Sequence, residues 1–134
     1  MDEKDKKILD ILRENGRASY TEIADKIGVS EGTVRNRVES MKEDGTVKGF
    51  TVEVSEDGIS AVVLAKLATS KNPDEVLNEF PEGLKVYEVT GEHDMVIILD
   101  REKPEQLNDA IDEIRSVEGV TETVTKSVLK ETRV

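Results

Sequence analysis

The chain has 134 residues and no cysteine, so disulfides and thiolate metal sites are excluded, and the length allows one ordinary domain or two small ones. Aromatic residues make up only 3% of the chain, which excludes a large aromatic core, and no stretch is long and apolar enough to span a membrane. The net charge of −11 argues at first against a nucleic-acid partner. Residues 1–50, however, hold 10 basic and 11 acidic side chains, so this half can carry a local basic face.

The first half of the chain predicts three short helices, each marked by apolar residues at helical spacing. These residues are Ile8, Ile11 and Leu12 in the first helix, Ile23, Ala24 and Ile27 in the second, and Val34, Val38 and Met41 in the third. Ser19 and Glu22 form a capping box at the start of the second helix, and Ser30 is a candidate N-cap of the third. Gly28 and Gly45 are expected to end these two helices.

The segment after the third helix alternates apolar and polar residues from Val47 to Val54, with several β-branched side chains. This alternation predicts a short hairpin or wing. Residues 55–58 form a polar turn, which is the best candidate for a domain boundary. We therefore predict one domain over residues 1–54 and a second domain over residues 55–134.

The second half predicts a different fold, with the element order β-α-β, β-α-β. The strands are expected at 61–68, 84–90, 95–99 and 120–129, and the helices at 71–80 and 104–117. This order indicates a ferredoxin-like antiparallel sheet with two helices on one face, and hence an α+β protein. Val120, Val124 and Val128 alternate with threonines along the last strand and are expected to share one side. The uncovered sheet face predicts a homodimer that pairs sheet against sheet.

The first half also carries the spacing of a helix-turn-helix. Ala24 lets the two helices approach, Gly28 permits the left-handed turn, and Val34 packs the third helix on the second. The third helix is then the recognition helix, whose N-terminal half enters the major groove.

Seven residues of this third helix and its cap are predicted to bind double-stranded DNA through hydroxyls, backbone N–H groups and bidentate donors. They are Ser30, Glu31, Gly32, Thr33, Arg35, Asn36 and Arg37. The alternative is that Ser30 only caps the helix and that the arginines only form ion pairs, such as Arg35 with Glu39.

Blocks of residues along nearly the whole chain resemble the Lrp/AsnC, or feast/famine, family of regulators. They are residues 5–9, 22–30, 33–38, 45–50 and 89–95. The resemblance implies a winged helix-turn-helix followed by a ferredoxin-like effector domain. It also implies dimers that often assemble further, and amino acids or similar small metabolites as effectors.

The turn at residues 91–94 is the candidate effector site. Gly91 allows a tight turn whose backbone N–H groups can face a carboxylate, and Asp94 can receive an ammonium group. The alternative is a plain hairpin turn in which Asp94 bonds its own backbone. The resemblance favours an effector site and adds residues of the last strand. The expected set is Gly91, Glu92, His93, Asp94, Thr121 and Thr123. His93, the only histidine, is too isolated for a metal site.

These observations predict a cytoplasmic transcription regulator that binds specific DNA sequences and responds to an amino acid, with no cofactor, no metal and no membrane partner. A non-specific architectural DNA-binding protein is a second interpretation, although its usual strong basic charge is missing. A haem-pathway decarboxylase on the same fold is a third. The sparse histidine and aromatic residues and the lack of clustered arginine near the Gly91 turn argue against an enzyme.

Overall fold

The computed structural model describes residues 1–54, 58–132 and 134, and the chain forms two compact units, Met1–Ser55 and Glu56–Val134. Of the polar turn expected at residues 55–58, only residue 58 belongs to the described part of the chain.

The first unit contains the three helices that the sequence predicts. They are α1 (Glu3–Glu14), α2 (Tyr20–Ile27) and α3 (Glu31–Glu43). The capping box of Ser19 and Glu22 forms as expected at the start of α2, and Ser30 caps α3 by accepting a hydrogen bond from the Thr33 N–H. A second capping box, in which Asp2 pairs with Asp5, begins α1 and was not predicted. Acceptors at these positions satisfy N–H groups that have no partner inside a helix.

A small apolar core joins the three helices. Its buried members are Ile8, Ile23, Ala24, Val34, Val38 and Met41. Ala24 is only 3% exposed at the α2–α3 contact, and Gly28 adopts a left-handed φ of 74°, which a residue with a side chain rarely accepts. The predicted helix-turn-helix is therefore confirmed in its geometry.

The predicted hairpin or wing does not form: residues 47–54, all of them described, include no strand. Val47 continues the helical core, and its N–H donates to the Met41 carbonyl at 2.9 Å. Beyond it Phe50, Val52 and Val54 are exposed. The alternation of residue types is present, but a strand needs a hydrogen-bonded partner strand as well as a pattern.

The second unit is a four-stranded antiparallel sheet with two helices, as the sequence predicts. Its elements are β1 (Ile59–Leu67), α4 (Pro73–Asn78), β2 (Leu84–Glu88), β3 (Met95–Arg101), α5 (Pro104–Ser116) and β4 (Val120–Ser127). The strand order is β2-β3-β1-β4, the ferredoxin-like order.

Three elements end two residues earlier than predicted. Helix α4 ends before Phe80 because Pro81 disfavours a helical conformation at the residue before it. Strand β2 ends where the Val89 N–H turns back to the Asp94 carbonyl. Strand β4 ends at Ser127, which pairs with Ala61, and beyond it the Val128 N–H still donates to the Ser60 carbonyl at 3.0 Å.

The sheet has one face toward the helices and one open face. The helix face buries alternate residues of β1 and β3 against α5: Ala61, Val63, Ala65, Met95, Ile97 and Leu99. We call the opposite side the open sheet face. It carries Val62, Leu64, Tyr87, Val96, Ile98 and Val124.

A β-bulge places residues of β4 on other faces of the sheet than the sequence predicts. Lys66 pairs with Glu122 and Leu67 with Val120, so Thr121 is the extra residue. The bulge reverses the alternation, and Val120 packs with the helix-side core while Val124 lies on the open sheet face. The expected sharing of one side by these two valines is therefore wrong.

Candidate DNA-binding surface and effector pocket

Helix α3 buries one stripe and exposes the side opposite to it. Val34, Val38 and Met41 are buried, whereas Gly32, Arg35, Asn36, Glu39 and Ser40 are exposed. Gly32, Arg35 and Asn36, which belong to the predicted DNA-binding set, therefore reach solvent near the helix N-terminus. The geometry suits insertion of this end into a groove.

The predicted phosphate contacts Ser30 and Thr33 are already partners of each other. The Ser30 Oγ accepts from the Thr33 N–H at 3.1 Å, and the two hydroxyl oxygens are 2.8 Å apart. Capping therefore accounts for part of what these residues do. The N–H groups of Glu31 and Gly32 have no intrahelical partner by helix geometry, so they remain available to an anion.

Arg35 is held by two neighbours but stays largely exposed. Its Nη2 forms an ion pair with Glu31, one turn earlier, and its guanidinium carbon lies 6.0 Å from the centroid of the Tyr20 ring. The side chain of Arg35 is still 59% exposed. The alternative pairing with Glu39 does not form, because Glu39 pairs with Lys42 instead.

Arg37 is turned toward helix α1. Its Nη1 donates to Asp2 at 2.6 Å and to Asp5 at 3.1 Å, and its side chain is only 28% exposed. Arg37, one of the two arginines predicted to contact DNA, is therefore bound within the first unit. The acidic pair at the start of α1 was visible in the sequence, but only the fold brings it to a residue so distant in the chain.

The bridge between Asp2 and Arg37 predicts a pH dependence of the first unit. The Asp5 N–H and then the Arg37 guanidinium hydrogen-bond the Asp2 carboxylate and lower its pKa to about 2. A lowered pKa in the folded state means that this stabilisation is complete above the ordinary value and is lost as the pH falls from about 4 to about 2.

NMR titration of the Asp2 carboxyl group in wild type is expected to show this low pKa. In Arg37→Ala the pKa should rise only part of the way, because the bond from Asp5 remains. An Asp2 that titrates near its ordinary value in the wild-type protein would contradict the bridge.

A cavity of about 550 Å³ lies in the second unit between the end of β1 and the turn that follows β2. It is lined by Lys66, Leu67, Ala68, Thr69, Lys71, Pro73, Gly91, Glu92, Asp94 and Thr121. The structure thus brings together Gly91, Glu92, Asp94 and Thr121 of the predicted effector set. His93 and Thr123 are not among the lining residues.

Asp94 connects this turn to strand β1. Its Oδ2 accepts from the Leu67 N–H at 2.7 Å, and its own N–H donates to the Ala65 carbonyl at 2.9 Å. Neither interpretation of the sequence predicted this role, because Leu67 is distant in sequence. The carboxylate keeps its second oxygen for a further donor.

Gly91 and Thr121 shape the wall of the cavity for separate reasons. Gly91 has a φ of 111°, and a Cβ there would meet no atom within 4 Å, so backbone conformation rather than space requires the glycine. The hydroxyl of Thr121 donates to the Lys66 carbonyl at 3.2 Å and thereby fastens the β-bulge.

The cavity offers charges of both signs. Its lining includes Lys66 and Lys71 as well as Glu92 and Asp94. The Lys71 Nζ lies 3.5 Å from the Glu118 Oε1. A small zwitterion, with one carboxylate and one ammonium group, matches such a lining. Neither lysine was predicted from the sequence, since the two lie at and after the end of β1 and carry no local motif.

No helix in the described part of the chain is long and apolar enough to cross a membrane. Within the same residues, no group of three or more acidic or histidine side chains stands where it could hold a metal ion.

Family models match both units. A model described as the AsnC-type helix-turn-helix domain matches residues 1–42, and one described as the Lrp/AsnC ligand binding domain matches residues 61–133. The HTH-type transcriptional regulator FL11 of Pyrococcus furiosus is 35% identical over 136 residues, covering 97% of this chain and 90% of that protein.

Two other proteins are similar to this chain over nearly their whole length. The HTH-type transcriptional regulator LysM of Saccharolobus solfataricus is 37% identical over 134 residues, covering 97% of this chain and 94% of that protein. The crystal structure of the transcriptional regulator NMB0573 of Neisseria meningitidis, in complex with L-Met, has a TM-score of 0.82 at 24% identity. The aligned region covers 93% of that chain and the whole of this chain.

Proposed function

The chain belongs to the Lrp/AsnC family of transcription regulators, with a helix-turn-helix DNA-binding unit and a ligand-binding unit. From this premise we propose that it binds operator DNA as a homodimer and that an amino acid in the cavity beside Gly91 changes its affinity for DNA. The observation that carries the effector part is the mixed-charge lining of that cavity. We assign the chain no enzymatic step.

The exposed side of α3 supports the DNA-binding part. Arg35 and Asn36 offer bidentate donors of the kind that recognise guanine and adenine edges. The free N–H groups at the helix start suit a phosphate. A non-specific architectural role is less well supported, because the net charge is −11 and non-specific binding depends on neutralised phosphates.

The open sheet face supports the homodimer. Leu64 lies between Val96 and Val124 in the sheet register, and Val62 lies beside Ile98, so the apolar residues are contiguous. All five are only half-buried within the chain. Packing the same face of a second copy against them would remove this apolar surface from water in an isologous contact.

The effector part rests on complementarity with a zwitterion. The lysines at the end of β1 and after it can attract a carboxylate, and the free oxygen of Asp94 can accept from an ammonium group. The Neisseria meningitidis regulator, which shares the fold, forms a complex with an amino acid, L-Met. We propose the same ligand class for this chain.

The test is DNA affinity measured across a panel of free amino acids. We expect at least one amino acid to shift the wild-type dissociation constant by about 5- to 150-fold, the usual range of allosteric coupling. Asp94→Asn should lose this effect of the amino acid on DNA affinity, because its side chain has no charge to attract an ammonium group. Its carbonyl can still accept from the Leu67 N–H, so the turn should stay in place. Asp109→Asn, which removes one exposed charge from α5, is the matched control and should respond like wild type. Full response of Asp94→Asn would contradict the assigned cavity.

A further inference from the structure

We propose that Glu31 and Tyr20 are positioning residues that hold Arg35 in place to read a guanine, so that Glu31 sets the base preference of the recognition helix. The inference rests on the proposed DNA binding and deepens it. Two contacts of Arg35 carry it, an ion pair within helix α3 and a ring contact with helix α2.

Arg35 is the arginine of α3 that faces outward. Arg37, the other one, gives its Nη1 to Asp2 and Asp5. The side chain of Arg35 is 59% exposed, against 28% for Arg37. Direct reading of a base edge by an arginine of this helix therefore falls to Arg35.

The Arg35 side chain is fixed from two directions. Glu31, one turn before it, binds Nη2, and the ring of Tyr20 from α2 lies 6.0 Å from the guanidinium carbon. A guanidinium has five N–H donors in a planar fork, so one bond to a carboxylate leaves donors for the O6 and N7 atoms of guanine. A side chain held this way loses less conformational freedom on binding than a free arginine.

The charge of Glu31 needs an explanation in a DNA-binding helix. A carboxylate in the first turn repels phosphates, and pairing its charge reduces this cost. The ion pair with Arg35 supplies that partner and at the same time orients it. If Glu31 merely competed with guanine for Arg35, removing it would strengthen the guanine preference, and if it merely repelled phosphates, removing it would raise the affinity for all sequences equally.

The experiment is selection of bound duplexes from a random pool by the full-length protein. Wild type is compared with Glu31→Gln, Tyr20→Leu and Arg35→Lys. The matched control is Glu39→Gln, which removes the same charge from the same helix. Glu39 forms its ion pair with Lys42 and not with Arg35. Circular dichroism checks that each variant is folded.

We expect wild type to prefer guanine at one position of each half-site and Arg35→Lys to lose that preference. Glu31→Gln should weaken it by at least about fivefold, the lower end for one bidentate base contact, and Tyr20→Leu should weaken it in the same direction. Glu39→Gln should retain it.

Two results overturn the inference in different ways. If wild type enriches a sequence and Glu31→Gln keeps or strengthens the same guanine preference, or Glu39→Gln loses it equally, the positioning role is wrong while DNA binding stands. If wild type enriches no sequence at all, sequence-specific binding fails and the inference fails with it.

Discussion

Leu64→Glu is expected to convert the proposed homodimer into monomers and to raise its dissociation constant by about 100-fold or more. Leu64 lies at the centre of the open sheet face, between Val96 on β3 and Val124 on β4. Burial of an unpaired carboxylate in a desolvated contact costs several kcal/mol. A loss of about 2.7 kcal/mol is enough to raise a dissociation constant 100-fold. The residue is not part of the helix-side core, so the monomer should stay folded.

Light scattering and sedimentation across a concentration series measure this effect. The matched control is Asn108→Glu, which adds the same charge to the exposed side of α5 and should leave assembly unchanged. DNA affinity should fall with the dimer, because a monomer engages one half-site and loses the gain from simultaneous binding. A Leu64→Glu protein that remains a dimer at micromolar concentration would place the interface elsewhere.

Ile23→Ala is expected to unfold the helix-turn-helix unit while the sheet unit stays folded. Ile23 is fully buried among only six buried core residues. Truncation of a buried isoleucine to alanine costs about 2–5 kcal/mol, and a core in a unit of this size rarely supplies more than about 3–5 kcal/mol. The loss is therefore comparable to the whole stability of the unit.

Amide NMR spectra follow the two units separately. Signals of residues 1–54 should collapse toward the unfolded range at 37 °C, signals of the strands should persist, and DNA binding should be lost without a change in oligomeric state. Ile23→Val, which removes one methyl group and costs roughly 0.5–1.5 kcal/mol, is the control and should keep both units folded. Simultaneous melting of both units in Ile23→Ala would show that they are one cooperative body.

Local patterns in the sequence were enough to predict the helices and strands that the structure contains and their order along the chain. Side-chain periodicity and caps act between neighbours in the chain, so Ser19 with Glu22 and the Val34, Val38 and Met41 stripe could be read directly. The strand order followed because a ferredoxin-like arrangement pairs these elements in one way. Four of the six predicted effector residues lie at one cavity, while their role in binding an effector stays a prediction.

Contacts between residues far apart in the chain could be seen only in the folded structure. Arg37 bonds Asp2 and Asp5, Asp94 bonds Leu67, and the bulge at Thr121 reverses the faces of β4. Each contact joins residues separated by many positions, and its existence depends on helix packing or strand register, for which no local pattern exists. The missing hairpin after α3 has the same cause, since alternation specifies a strand only when another strand lies beside it.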